Sequence, residues 1–136
     1  MTVLFLDTSF LIALEVADDQ FHPSASRFWQ SYLSKPGALV TTSFVLDEVA
    51  TYFNSRGHHS KAIDIGRYLM TSPSVKLIHV DAMLFQESWR WLERHRDKRY
   101  SLTDCVSFVV MKQLKIKAAL TFDKHFAQAG FQMLPG

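Results

Sequence analysis

The sequence predicts an α/β architecture with a mostly parallel central sheet of about five strands flanked by helices. Three observations predict it. Short apolar, β-branched runs recur along the chain, helical patterns fill the intervals between them, and acidic residues stand where strands end or helices begin. Strands that alternate with helices pair in parallel, and such sheets bind ligands outside the carboxyl ends of their strands.

The elements follow in order. Val3 to Leu6 is an uncharged apolar run and reads as the first buried strand, with a helical pattern from Ser9 to Ala17 behind it. A second helical pattern runs from Pro23 to Leu33 and groups Phe28, Trp29 and Tyr32. Ala38 to Thr41 is the next strand. The helix from Ser43 to Asn54 carries Phe44, Val45, Val49, Tyr52 and Phe53 on a broad apolar face, with Glu48 about one turn inside it. Ser60 to Met70 is helical, Val75 to Val80 extended, and Ala82 to Arg96 helical again. Leu102 to Leu114 turns Val106, Val109, Val110 and Leu114 inward, which leaves Asp104 in its first turn. Ala118 to Phe122 is a strand, Lys124 to Ala129 a short helix, and Phe131 to Leu134 a weaker fifth strand.

At 136 residues the expectation is one domain spanning 1–136, with no linker, repeat or low-complexity run. Hydrophobic residues make up 48%, including 11 Phe and 3 Trp, which is ample core material and excludes a disordered composition. Trp89 and Trp91 read as core. The one cysteine, Cys105, has no internal disulfide partner, lies in an apolar helical pattern, and reads as a buried thiol suited to a reducing cytosol. The uncharged stretch from Thr8 to Leu14 is far too short to span a bilayer, so the expectation is a cytoplasmic protein with no membrane partner. A net charge of +2 permits nucleic-acid binding but falls short of a strongly basic footprint, so the placement of cations has to carry that case.

Asp7, Glu48, Asp104 and Asp123 each have a local explanation. Asp7 or Thr8 can cap the helix that follows, and Asp123 the helix from Lys124. Ser101-Leu-Thr-Asp104 matches a capping box with Asp in place of Glu. Glu48 fits as a solvated acid near a helix start, with Asp47 beside it as a rival. Their joint order says more. If the fold brings all four within roughly 6 Å, six repelling pairs arise, each of about 3 kcal/mol at an effective dielectric near 20. Either some carboxyls take up protons, driven by like charge, or a divalent cation occupies the centre. Oxygen-only ligands select Mg2+ or Mn2+ over zinc.

The stretches Leu4-Phe-Leu-Asp7-Thr-Ser-Phe-Leu-Ile-Ala-Leu14, Thr41-Thr-Ser-Phe-Val-Leu-Asp-Glu48-Val, Ser101-Leu-Thr-Asp104-Cys and Leu120-Thr-Phe-Asp123-Lys-His-Phe126 occur in this order over nearly the whole chain. This pattern resembles the PIN domain family of metal-dependent ribonucleases, in particular the compact VapC-type toxins of prokaryotic toxin-antitoxin pairs. The resemblance implies a three-layer PIN-like fold. It also implies that Asp7, Glu48, Asp104 and Asp123 are the catalytic and metal-binding acids, with Thr8, Ser9, Ser101 and Thr121 as supporting hydroxyls. The expected reaction is hydrolysis of RNA to 5′-phosphate and 3′-hydroxyl ends. Asp7, Asp104 and Glu48 are expected to hold the principal Mg2+ or Mn2+, with a second ion recruited through Asp123. A small antitoxin protein and a homodimer are the implied protein partners.

Substrate contacts need cations near the acids, and Arg90, Arg94, His95, Arg96, Lys98 and Arg99 lead directly into Ser101. Arg94, Arg96, Lys98 and Arg99 are the expected RNA contacts, against the plainer reading of a solvated helix face. Arg56, His58, His59 and Lys61 form a weaker second group. The histidines lack zinc-ligand spacing, and His125 reads as an ordinary surface residue. The five glycines form no phosphate-cradling loop, which disfavours nucleoside triphosphates. Two other classes stay open. A haloacid-dehalogenase-like phosphatase needs a second Asp where Ser9 stands, and a PIN-like module that only binds RNA or protein needs no acids at all.

Overall fold

The computed structural model describes residues 2–136. The elements are β1 (Val3–Leu6), α1 (Thr8–Glu15), α2 (His22–Ser34), β2 (Ala38–Thr42), α3 (Ser43–Ser55), α4 (His59–Thr71), β3 (Val75–Ile78), α5 (Ala82–Arg94), α6 (Leu102–Gln113), β4 (Ala118–Leu120), α7 (His125–Gln128) and β5 (Gln132–Leu134). The five strands form one sheet in the order β3-β2-β1-β4-β5, every neighbour pair parallel. The sheet is therefore parallel throughout rather than mostly so.

The strand order dictates the layers. The chain moves outward from β1 through β2 to β3, then crosses back to place β4 on the other side of β1. Right-handed crossovers put the helices of these two directions on opposite faces. Accordingly α1 packs with α2 and α3, and α3 with α4, while α5 and α7 both pack with α6. The strand order reverses between β1 and β4, the place where parallel sheets of this kind bind ligands at the carboxyl ends of their strands.

Leu4, Phe5, Leu6, Leu39 and the whole of β4 are buried, as a sheet covered on both faces requires. Helix α6 is buried continuously from Asp104 to Met111, and its Phe108 packs against Trp91, Tyr100, Phe126 and Phe131. Cys105 is fully buried, its thiol pushed up to about 11 by burial first and by Asp104 second. No described helix is long and apolar enough to cross a membrane.

Element types follow the sequence-based expectation, and the boundaries shift where side chains take over backbone hydrogen bonds. β3 ends at Ile78 rather than Val80, because the Val80 N–H donates to Ser43 Oγ at 2.9 Å. β4 ends at Leu120 rather than Phe122, whose N–H donates to Ser9 Oγ at 2.9 Å. α5 ends at Arg94 rather than Arg96, since the ring of His95 caps the Trp91 carbonyl at 2.7 Å. Ser9–Ala17 becomes Thr8–Glu15, with Asp7 as the cap.

Candidate active site

Asp7 follows β1 directly and its N–H donates to the Leu120 carbonyl at 3.1 Å, which ties it to the end of β4. Its extended backbone makes it the N-cap of α1, with Oδ2 accepting from the Ser9 N–H at 3.4 Å. Two hydroxyls donate to the same oxygen, Ser9 Oγ at 2.8 Å and Thr121 Oγ1 at 2.7 Å. Capping and convergence are thus the same act: the cap fixes a carboxylate at the sheet's switch point.

Thr121 joins two of the acids. Its hydroxyl donates to Asp7 and accepts from the Asp123 N–H at 3.0 Å. Asp104 enters from α6. The predicted capping box is present, with the Asp104 N–H donating to Ser101 Oγ at 3.0 Å and the Ser101 N–H donating to Asp104 Oδ2 at 3.2 Å. That reciprocal pair turns the acid to a fixed rotamer in a position that is almost fully buried.

His125, expected to be an ordinary surface residue, is half-buried between two acids. Its Nδ1 lies 3.1 Å from Asp104 Oδ2 and 3.4 Å from Asp123 Oδ1. Both carboxyl oxygens are within hydrogen-bonding or ion-pairing reach of the one ring nitrogen, which bridges the two acids. Tyr100 supports the ring edge-on at 5.4 Å between centroids. Asp104, Asp123 and His125 offer ligand atoms that all lie within 4.8 Å of one another. No spacing pattern marks His125 in the sequence; its only signal is adjacency to the last acidic motif.

Glu48 is attached to this group through Thr8, whose Oγ1 donates to Glu48 Oε1 at 2.8 Å. Glu48 is half-buried while Asp47 is exposed, so Glu48 and not its rival faces the first turn of α1. Glu48 and Asp7 stand outside the set of mutually close ligand atoms formed by Asp104, Asp123 and His125.

Burial, ahead of like charge, raises two of the acids, Asp7 and Asp104. The Asp7 carboxyl is pushed up to about 7, by burial first and by the charge of Asp104 later, against the hydrogen bonds from Thr121 and Ser9. Asp104 is raised by burial and then by Asp123, against His125 and the Ser101 backbone. The donors also leave a pattern. Among the described residues they fall on Oδ2 of Asp7, Oδ2 of Asp104, Oδ1 of Asp123 and Oε1 of Glu48, so each acid keeps one oxygen without a protein donor. Oxygen ligands on desolvated carboxyls, held by hydroxyls and backbone amides, suit a hard divalent cation.

The expected RNA contacts lie beside this centre in sequence. Arg94 closes α5, and Arg96, Lys98 and Arg99 are exposed in the connection that runs into Ser101. Lys98 pairs with Asp97 at 3.4 Å. In the second group Arg56 lies over the Tyr52 ring, and Lys61 pairs with Glu15. Trp91 is core as expected, whereas Trp89 is about half exposed.

Comparison with known proteins agrees with this fold. The PIN domain model matches residues 4–132. The 23S rRNA-specific endonuclease VapC20 of Mycobacterium tuberculosis, from two strains, is 40% identical over 129 residues, 95% of either chain. The crystal structure of M. tuberculosis VapC20, a sarcin-ricin loop cleaving toxin, superposes with a TM-score of 0.85 at 38% identity over 96% of both chains. VapBC2 from Rickettsia felis, bound to a DNA fragment from its promoter, shares the fold alone, with a TM-score of 0.67 at 13% identity over 97% of both chains. The chain belongs to the PIN domain family.

Proposed function

We propose that this protein is a metal-dependent endoribonuclease, the toxin of a toxin-antitoxin pair, which hydrolyses RNA to 5′-phosphate and 3′-hydroxyl ends. The observation that carries it is the joining of Asp7, Asp104 and Asp123 through Thr121 and His125 at the switch point of the sheet. The 40% identity to a 23S rRNA-specific endonuclease supports the activity, and makes the sarcin-ricin loop of ribosomal RNA the first substrate to test.

Asp7, Glu48, Asp104 and Asp123 are the residues that would hold Mg2+ or Mn2+, and each keeps one oxygen free of protein donors. Such a cation supplies charge that activates water for in-line attack and stabilises the pentacoordinate phosphorus. Ser9 and Thr121 donate to Asp7 Oδ2 and leave its other oxygen free of protein donors. His125 spaces Asp104 from Asp123 and offsets their repulsion. Arg94, Arg96, Lys98 and Arg99 contact the phosphates on either side of the cut. The remaining proposals are one nuclease domain over 1–136, a homodimer, an antitoxin that covers the acids, and a cytoplasmic location where that RNA is met.

The test uses purified protein and total cellular RNA with Mg2+ or Mn2+, with new 5′-phosphate ends mapped by sequencing. Discrete cuts, absent with EDTA and with a folded Asp7→Asn variant, are expected. Ends carrying 2′,3′-cyclic phosphate, or cuts that survive EDTA, overturn the mechanism.

A further inference from the structure

Three phenylalanine rings form a ladder from the core to the surface beside the acids. Phe10, fully buried, lies parallel to Phe122 with centroids 6.0 Å apart and planes 13° apart. Phe122 in turn stacks on Phe21, at 4.5 Å and 4°. Phe21 is 40% exposed, so the outermost ring ends the ladder in solvent. The middle ring belongs to the site: Phe122 lies between Thr121 and Asp123, and its N–H donates to the same Ser9 hydroxyl that holds Asp7.

A lone exposed apolar side chain is ordinary on a protein surface; here the geometry sets it apart. Phe21 is held in place by its own backbone, its N–H donating to Asp19 Oδ1 at 2.8 Å and its carbonyl accepting from the Ala25 N–H at 3.0 Å. The next residue, His22, is fixed to the Ala13 carbonyl at 2.8 Å. The backbone that carries the ring is thus fixed, and one face of the ring is covered by Phe122. A preorganised aromatic face at the end of a parallel stack matches an unpaired nucleobase, because every base has a π-face and stacking needs no sequence-specific donor.

We propose that Phe21, backed by Phe122, is the stacking platform for an unpaired base flanking the scissile phosphate. This rests on the ribonuclease reading and adds a base subsite to it. Phe21 binds and orients the RNA strand; it takes no part in proton transfer.

The test is steady-state cleavage of an RNA hairpin carrying the 23S sarcin-ricin loop by wild type, Phe21→Ala, Phe21→Leu and Phe21→Trp, each checked for folding by thermal melting. Loss of one stacking contact predicts a fall in kcat/KM of about 5- to 150-fold for the Ala and Leu variants, mainly through KM. Phe21→Trp, which restores a π-face, retains the wild-type value. Hairpins with one base removed at each loop position in turn complete the test. At one position wild type loses affinity, and Phe21→Ala shows no further loss there. Equal kcat/KM for Phe21→Leu and wild type overturns the platform, as does Phe21→Trp failing like Phe21→Leu, which marks a packing role. If wild type cuts but Phe21→Ala cuts equally well, the platform alone falls; if wild type cuts no hairpin position, the ribonuclease reading falls and the platform with it.

Discussion

Asp7 holds a carboxyl that burial has raised from 3.8 to about 7, so the folded protein without a cation prefers it protonated. The sign follows from linkage. Below the unfolded value both states bind the proton and the preference is fully present; as pH rises through about 7 it is lost. Metal-free protein should lose on the order of 4 kcal/mol of stability between about pH 4 and pH 8 from this group, at 1.36 kcal/mol per unit. Asp104 is raised as well and adds in the same direction. Calorimetric melting temperatures should fall across that range, and Asp7→Asn should flatten the fall; a profile unchanged by Asp7→Asn contradicts the assignment. Thr121 is the next residue to test, because one hydroxyl serves both Asp7 and Asp123. Thr121→Val keeps the shape but removes one donor from the buried Asp7 carboxyl and leaves the Asp123 N–H without its acceptor, which should cost about 1–3 kcal/mol in urea unfolding. Asp7, Asp104 and Asp123 were legible as candidates in the sequence because each stands beside the start or end of an element, whereas Glu48 lies about a turn inside α3. His125 was not legible, since Asp104 meets it across the fold from a different helix.

At the scale of elements, short helices do the positioning. α1 and α6 are each capped by a residue whose side chain also belongs to the acidic centre or holds a member of it. Ser101→Ala removes half of the capping box and should destabilise the protein by about 1 kcal/mol, while Ser101→Thr should recover most of the loss. Urea denaturation measures both, and a Thr variant as weak as Ala argues against capping as the cause. The same hydroxyl chemistry explains why strand ends were harder to read than strands. Apolar, β-branched runs identify β3 and β4, but Ser43 and Ser9 decide where their ladders stop, and those hydroxyls come from other elements. The ring ladder of Phe21, Phe122 and Phe10 was illegible for a similar reason: its members come from a loop, a strand end and a helix.

Across the whole molecule, topology brings Asp104, Asp123 and His125 into one cluster, with Asp7 linked to it through Thr121. The parallel order β3-β2-β1-β4-β5 sets the ends of β1 and β4 side by side, and α3 and α6 supply acids from helices that begin near that edge. The alternation of strands and helices made this architecture legible, because few arrangements cover both faces of a parallel sheet. The exposed cations between α5 and α6 extend the acidic centre into an RNA-binding face in this account. Arg96→Glu with Arg99→Glu should weaken RNA binding and flatten its salt dependence, as anisotropy across a salt series reads directly; an unchanged slope rejects the patch. A homodimer should appear in light scattering at twice the 15.6 kDa chain mass. The central claim is that the acids together hold a divalent cation, and the most direct measurement is loss of the free Mn2+ electron paramagnetic resonance signal on titration with protein. The account predicts saturable binding by wild type that strengthens as pH rises through about 7 and is abolished in folded Asp7→Asn and Asp104→Asn. Wild-type protein that leaves the Mn2+ signal unchanged, or variants that bind as wild type does, would contradict it.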